Sequence, residues 1–157
     1  MNNRLSGLFS TLLLCACVQA HAIDYTLPDL NGSMQSLDQY RGKWVIVNYW
    51  ATWCGTCRKE LPDLISLHKN NRKDLVVVGI NFETIDRPTL KDFVAKQNIP
   101  YPVLRSEPVR KTPLGPVPAL PTTYIIDPTG KLVAGEVGMV SQQHIEDYIA
   151  AQRDKAK

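Results

Sequence analysis

Residues 44–62 of the 157-residue chain have the sequence WVIVNYWATWCGTCRKELP, in which two cysteines join a strand pattern to a helix pattern. The first seven residues, 44–50, form a nearly continuous apolar run rich in β-branched and aromatic side chains. Such a run is typical of a strand that is covered on both faces of a sheet. From Cys57 to Asn71, apolar side chains recur at helical spacing. The stretch therefore predicts a central strand, a C-x-x-C motif at its end and a helix after it, which Pro62 is expected to kink.

The rest of the chain alternates further strands and helices. The predicted elements are a hairpin that turns at 29–34, a helical turn over 37–41, strands over 75–81, 122–126 and 131–137, and helices over 87–98 and from 141 onwards. The segment from Pro108 to Pro121 contains five prolines and is predicted to be an extended or turning loop. This order predicts one α/β domain with a mixed central sheet flanked by helices.

The first 22 residues have the pattern of an export signal. A positive n-region, an apolar stretch over residues 5–18 and an A-x-A site ending at Ala22 predict a secretory signal peptide, followed by a domain over 23–157. The apolar stretch is shorter than the ~20 residues of a membrane span. Two alternatives stay open: the LCAC motif loosely resembles a bacterial lipobox in which Cys17 carries lipid, or the segment remains as an anchor. All three interpretations place the domain outside the cytoplasm, in a bacterial periplasm.

Removal of the export segment would leave a single pair of cysteines in the folded domain. The chain has four, and Cys15 and Cys17 lie in the export segment, so the folded domain retains only Cys54 and Cys57. A disulfide across two intervening residues constrains almost no unfolded-state entropy, so redox chemistry explains the pair better than stability does. Cys54 begins a helix, where backbone N–H groups and the helix dipole favour a thiolate. We expect Cys54 to attack a substrate disulfide and the more shielded Cys57 to resolve the mixed disulfide.

Other uses of a C-x-x-C pair fit the sequence less well. Structural zinc needs four ligands, and the mature domain has no second cysteine pair. Haem attachment needs a histidine after the second cysteine, where Arg58 stands. Copper binding and a structural disulfide stay open, and His68 is expected to be structural. Because the net charge is only +3 and no basic stripe with aromatics is present, nucleic-acid binding has no support.

Residues 47–62 closely resemble the TlpA/ResA/CcmG branch of the thioredoxin superfamily, whose members are extracytoplasmic thiol–disulfide oxidoreductases. The likeness extends from about Tyr25 to Ile149 and includes GIN at 79–81, LPTT at 120–123 and DPTGK at 127–131. It implies a thioredoxin fold with an N-terminal β-hairpin extension. It also implies dithiol exchange through the two cysteines, without a cofactor or a metal.

The resemblance implies further site residues. Pro121 would be a cis-proline beside the dithiol, and Leu120 before it would shape substrate access. Trp53 is expected on the substrate-binding surface. Thioredoxins proper carry a buried carboxylate on the strand before the motif, where this chain has Asn48, which cannot act as a base. Glu83 matches a glutamate of the resembling branch and is expected to accept the proton of the second cysteine, or else to be a solvated loop carboxylate.

By resemblance, the function is that of a periplasmic reductase or interchange protein acting on disulfides of client proteins. A membrane electron donor of the DsbD/CcdA type would reduce it, and apocytochrome c is the family-level client, in cytochrome c maturation. We expect a monomer that meets the membrane only if it is lipidated or anchored. Two departures matter: Gly55-Thr56 stands where many relatives have a proline before the second cysteine, and the Pro108–Pro118 run replaces a short helix. The alternatives are a dithiol oxidase and, in a different class, a copper-delivery or peptide-binding module.

Overall fold

The computed structural model describes residues 23–71, 73–109 and 111–155 of the chain, and the predicted export signal with its two cysteines lies outside them. Within these residues the chain forms β1 Thr26–Pro28, β2 Met34–Ser36, a 3-10 helix Leu37–Tyr40, β3 Trp44–Trp50, α1 Gly55–Asn70, β4 Leu75–Phe82, α2 Arg87–Lys96, β5 Val103–Ser106, β6 Lys111–Thr112, β7 Gly115–Pro116, β8 Thr122–Ile126, β9 Leu132–Val137 and α3 Gln142–Lys155. No helix in this described part is long and apolar enough to cross a membrane.

The central sheet has five strands in the order β5-β4-β3-β8-β9. Strand β3 pairs in parallel with β4 and antiparallel with β8, while β5 and β9 form the two edges. Every residue of β3, β4 and β8 is buried, as expected for strands that are covered on both faces. The mixed sheet and its terminal antiparallel pair confirm the sequence prediction.

Each face of the sheet has its own apolar core. On the face that carries the helices, Trp44, Ile46 and Trp50 of β3 lie in one cluster with Leu64 of α1 and Ile145 of α3. The alternate side chains of β3 lie in a second cluster, which the N-terminal segment and the β6–β7 hairpin cover with Tyr25, Leu37 and Leu114. Because side chains alternate along a strand, Asn48 shares the helix-bearing face with Ile46 and Trp50.

Two features of the fold differ from the sequence prediction. The edge strand β5 was not predicted, because its two apolar residues follow Pro100 and Pro102 and give no usable period. The proline-rich segment is extended and turning as predicted, but it also contains the β6–β7 pair. That pair is fixed by tertiary contacts: the Tyr124 hydroxyl donates to the Pro116 carbonyl at 2.6 Å. The kink expected at Pro62, which lies inside α1, stays a prediction.

Candidate active site

The two cysteines of the motif form a disulfide at the start of α1, with their Cα atoms 5.3 Å apart. A turn after β3 is closed by the Cys54 N–H, which donates to the Ala51 carbonyl at 3.2 Å. Cys54 is then the N-cap of α1, and its Sγ accepts a hydrogen bond from the Cys57 N–H at 3.2 Å. The sulfur therefore faces the free N–H groups at the positive end of the helix, where a thiolate is stabilised.

Both cysteines of the motif are buried. Cys54 is 5% exposed and Cys57 is 1% exposed, so both are buried and the difference between them is small. Trp53, in contrast, is 67% exposed and lies directly before the motif. A large, solvent-exposed indole therefore lies next to Cys54 in the chain.

The segment before β8 carries the residues expected to bind substrate. The peptide bond between Leu120 and Pro121 is cis, the isomer that the resemblance implies. Leu120 is half-buried and packs against the cluster that includes both cysteines. The Pro121 carbonyl accepts a hydrogen bond from the Gly138 N–H at 2.8 Å, which brings the loop after β9 and its exposed Met139 next to this segment.

Glu83 holds the loop that leads into the motif. Its carboxylate accepts hydrogen bonds from the Thr52 N–H at 2.7 Å and the Thr52 hydroxyl at 3.1 Å. It also accepts one from the Asn81 amide at 2.7 Å. Glu83 is therefore not a solvated loop carboxylate but a half-buried anchor for the residues before Trp53 and Cys54. Its role as the proton acceptor stays a prediction.

Sequence reasoning missed Glu60, a buried carboxylate on α1 that is 1% exposed. Its oxygens accept hydrogen bonds from the Asn48 amide at 2.8 Å and the Val140 N–H at 3.0 Å. The same Asn48 amide donates to the Thr123 hydroxyl at 3.0 Å. Burial raises the pKa of Glu60 above its ordinary value, and the hydrogen bonds from Val140 and Asn48 counteract only part of this effect.

The signal for Glu60 was present in the sequence. Glu60 follows Cys57 by three residues and precedes Leu64 by four, which places all three on one helical face. An acidic residue on the apolar face of a helix next to a redox motif marks a functional candidate. His68, on the same helix, accepts a hydrogen bond from the Val77 N–H at 3.3 Å, which supports the structural role expected for it.

Comparisons with known proteins agree with this architecture. The model of the AhpC/TSA family matches residues 18–134. The thioredoxin-like protein YneN of Bacillus subtilis is 32% identical over 130 residues, which cover 82% of this chain and 76% of YneN. The thiol-disulfide oxidoreductase ResA of the same organism is 30% identical over 131 residues, which cover 82% of this chain and 72% of ResA.

Solved structures show the same fold. A DsbF homologue from Corynebacterium diphtheriae superposes with a TM-score of 0.72 at 31% identity, over 82% of this chain and 83% of that one. A secreted thiol-disulfide isomerase from Corynebacterium glutamicum gives a TM-score of 0.73 at 29% identity, over 79% and 80% of the two chains. The thioredoxin fold that the sequence predicts is thereby confirmed.

Proposed function

This chain belongs to the AhpC/TSA family of the thioredoxin superfamily and is a thiol–disulfide oxidoreductase of the ResA/DsbE type, and from that premise we propose that it reduces or exchanges disulfides of client proteins in the periplasm. The observation that carries the proposal is the Cys54–Cys57 disulfide at the N-cap of α1. A helix N-terminus stabilises a thiolate, and the thiolate is the species that exchanges disulfides.

In the proposed reaction, the Cys54 thiolate attacks one sulfur of a client disulfide. The client S–S bond breaks, its second sulfur leaves as a thiolate, and a mixed disulfide with Cys54 forms. Cys57 then loses its proton and attacks Cys54 Sγ, which releases the first client sulfur and forms the Cys54–Cys57 bond. The client gains two electrons, and a membrane donor of the DsbD/CcdA type then supplies two electrons to the Cys54–Cys57 disulfide, which regenerates the dithiol.

The Cys57 proton needs an acceptor, for which two carboxylates are candidates. Glu83 is proposed from the family resemblance, and it contacts the loop before the motif. Glu60 is proposed from its burial and its position one helical turn after Cys57. Substituting each with glutamine distinguishes them, because loss of the acceptor should slow the resolving step, whereas loss of a neighbouring negative charge alone should only lower the Cys57 pKa.

We propose that clients bind at the surface formed by Trp53, Leu120 and Pro121. The exposure of the Trp53 indole supports this assignment, since exposed aromatic side chains commonly anchor partners. The periplasmic location rests on the export pattern of the first 22 residues, with Cys17 lipidation as its membrane-tethered form. A role in cytochrome c maturation rests on the family resemblance alone.

One observation favours a dithiol oxidase as the second candidate. The Thr56 hydroxyl lies 3.3 Å from Cys54 Sγ, where it can stabilise a thiolate. Stabilising the reduced form raises the reduction potential, so the protein would accept electrons more readily.

Equilibration of the purified domain with a glutathione or dithiothreitol redox series tests the direction of electron flow. A reduction potential near that of thioredoxin, about −270 mV, together with turnover in insulin reduction, supports a reductase. A potential near that of DsbA, about −120 mV, supports the oxidase instead. In both cases Cys57→Ser should accumulate mixed disulfides through Cys54, and Cys54→Ser should not.

A further inference from the structure

Three buried polar groups of the described residues lie on the helix-bearing face of the sheet without a hydrogen-bond partner in the protein. They are Asn48 Oδ1, Trp50 Nε1 and the Tyr101 hydroxyl. Asn48 and Trp50 are each 1% exposed, and Tyr101 is 4% exposed. Buried polar groups nearly always have a partner, either in the protein or in an ordered water molecule. The three groups therefore indicate a ligand that the side chains around them do not supply.

The three groups lie around one pair of strand residues. Asn48 of β3 is the register partner of Gly79 in β4. A Cβ on Gly79 would lie 2.8 Å from Trp50 Nε1 and 3.1 Å from Tyr101 Cε2, so the indole N–H and the phenol ring both lie over this glycine. The Asn48 amide donates through Nδ2 to Thr123 on the other neighbouring strand, β8, so its Oδ1 is turned away from β8.

The Glu60 carboxylate belongs to the same surroundings. It accepts a hydrogen bond from the Asn48 amide at 2.8 Å. Burial raises the pKa of Tyr101, and the charge of Glu60 raises it further, so the phenol lies within the electrostatic reach of the carboxylate. The Tyr101 ring also packs edge-on against His68 of α1, with 5.9 Å between the ring centroids. At physiological pH the Tyr101 hydroxyl is therefore neutral and able to donate a hydrogen bond.

We propose that these three groups and the Glu60 carboxylate bind one internal water molecule, through which Tyr101 acts as a positioning residue for Glu60. The Trp50 N–H and the Tyr101 O–H are donors, and they occupy the two lone pairs of the water. The two O–H groups of the water then donate to Asn48 Oδ1 and to a Glu60 oxygen. A carboxylate has room for about four hydrogen bonds, and the water makes the full set of four that a buried water can have.

The water supplies a further donor to Glu60 inside the protein. A hydrogen bond to the charged form of a carboxylate lowers its pKa and so counteracts the effect of burial. Donation by Tyr101 polarises the water and strengthens the hydrogen bond that the water donates. In the proposed dithiol exchange, this site helps Glu60 to ionise close to Cys57. That consequence rests on the proposed function, whereas the water site itself does not.

Nuclear magnetic resonance on the oxidised protein tests the water site. The indole proton of Trp50 should show cross-relaxation with a long-lived water, whereas that of Trp53, which is 67% exposed, should show only the brief contacts of bulk water. Tyr101→Phe keeps the ring and removes the hydroxyl, and it should weaken the contact at Trp50. Tyr49→Phe is the matched control, because it removes a hydroxyl from a fully buried ring in the cluster on the opposite face. A Trp50 indole proton without a water contact would overturn the proposal, and so would an undiminished contact in Tyr101→Phe.

Titration of Glu60 at its own carboxyl carbon tests the role of Tyr101. In Tyr101→Phe we expect the Glu60 pKa to rise by about one unit, because the carboxylate loses a donor. Tyr49→Phe should keep the value of the unchanged protein. Both variants retain the disulfide, His68 and Asp63, whose charge also raises the Glu60 pKa. An unchanged Glu60 pKa in Tyr101→Phe would overturn the proposal, and so would equal rises in the two variants, because these would indicate altered packing and not the lost hydroxyl.

These measurements separate the proposal from the proposed function. The water contact and the Glu60 pKa are measured on the oxidised protein, whichever way it passes electrons to or from its clients. If Glu60 accepts the Cys57 proton, the pH profile of the resolving step should move upwards with the Glu60 pKa in Tyr101→Phe. A profile that does not move while this pKa rises would contradict Glu60 as the proton acceptor, and an unchanged pKa would contradict the Tyr101 proposal alone.

Discussion

Substitution of Glu60 with glutamine tests the buried carboxylate next to the dithiol. In the native protein, one carboxylate oxygen accepts from the Asn48 amide and the other from the Val140 N–H. Glutamine offers one carbonyl oxygen and one NH₂ group, so it can serve only one of these two donors. The other donor is left buried and unpaired, which costs about 1–3 kcal/mol of the free energy of unfolding.

The pH dependence of stability should change in a direction fixed by the raised pKa of Glu60. Because burial raises this pKa above the ordinary value of 4.5, the folded state keeps a proton that the unfolded state has already released. Between pH 4.5 and the raised pKa, the free energy of unfolding therefore falls as pH rises. The free energy of unfolding then falls by up to about 1.36 kcal/mol per pH unit. Glutamine does not ionise, so the Glu60→Gln variant lacks this dependence on pH.

We therefore expect Glu60→Gln to be less stable than the unchanged protein by about 1–3 kcal/mol at pH 4. This difference in the free energy of unfolding should shrink as the pH rises above 4.5, because the unchanged protein loses stability there while Glu60→Gln does not. Urea unfolding of the two oxidised proteins from pH 4 to 8 measures this difference. The disulfide removes both cysteines from the titration, and the histidines are common to both proteins. A stability difference that stays constant over this pH range would refute a raised Glu60 pKa.

Three further substitutions test the core, a close approach and the client surface. Leu64→Ala, at a position with no exposure, should lower the free energy of urea unfolding by about 2–5 kcal/mol, and an unchanged value would contradict its place in the core. Gly79→Ala would place a Cβ 2.8 Å from Trp50 Nε1 and 3.1 Å from the Tyr101 ring, so we expect a loss of about 1–3 kcal/mol in the same assay; native stability would argue against this close packing. Trp53→Ala should change stability by less than about 0.5 kcal/mol because the side chain is exposed, yet lower kcat/KM for insulin reduction several-fold; unaltered kinetics would remove Trp53 from the client surface.

The sequence predicts those parts of the fold that local patterns specify. Strands β3 and β4 are long apolar runs, and the cysteine motif between β3 and α1 is visible without any tertiary information. Strand β5 is short and follows two prolines, so only its pairing with β4 makes it a strand. The β6–β7 pair likewise depends on a contact between distant residues, in which the Tyr49 and Thr112 hydroxyls lie 3.1 Å apart.

The candidate site also contains residues that local sequence predicts and residues that it does not. The dithiol and Pro121 lie in segments whose local sequence already identifies them. The surroundings of Glu60 cannot be predicted from local sequence, because its hydrogen-bond partner Val140 is 80 residues away in the chain. Glu83 was selected by resemblance, but only the structure reveals that it anchors Thr52 through two hydrogen bonds.

Asn48 and Glu60 are best understood as one unit. By sequence alone, Asn48 marks the loss of a strand carboxylate that thioredoxins proper carry, and it suggests a site without a buried acid. In the structure, the amide of Asn48 donates to a carboxylate that α1 supplies 12 residues later. This chain therefore has a buried carboxylate as thioredoxins proper do, but on the helix that carries Cys57 and not on the strand before the motif. The Glu60 carboxylate and the Cys57 thiol therefore lie one helical turn apart on the same buried face of α1.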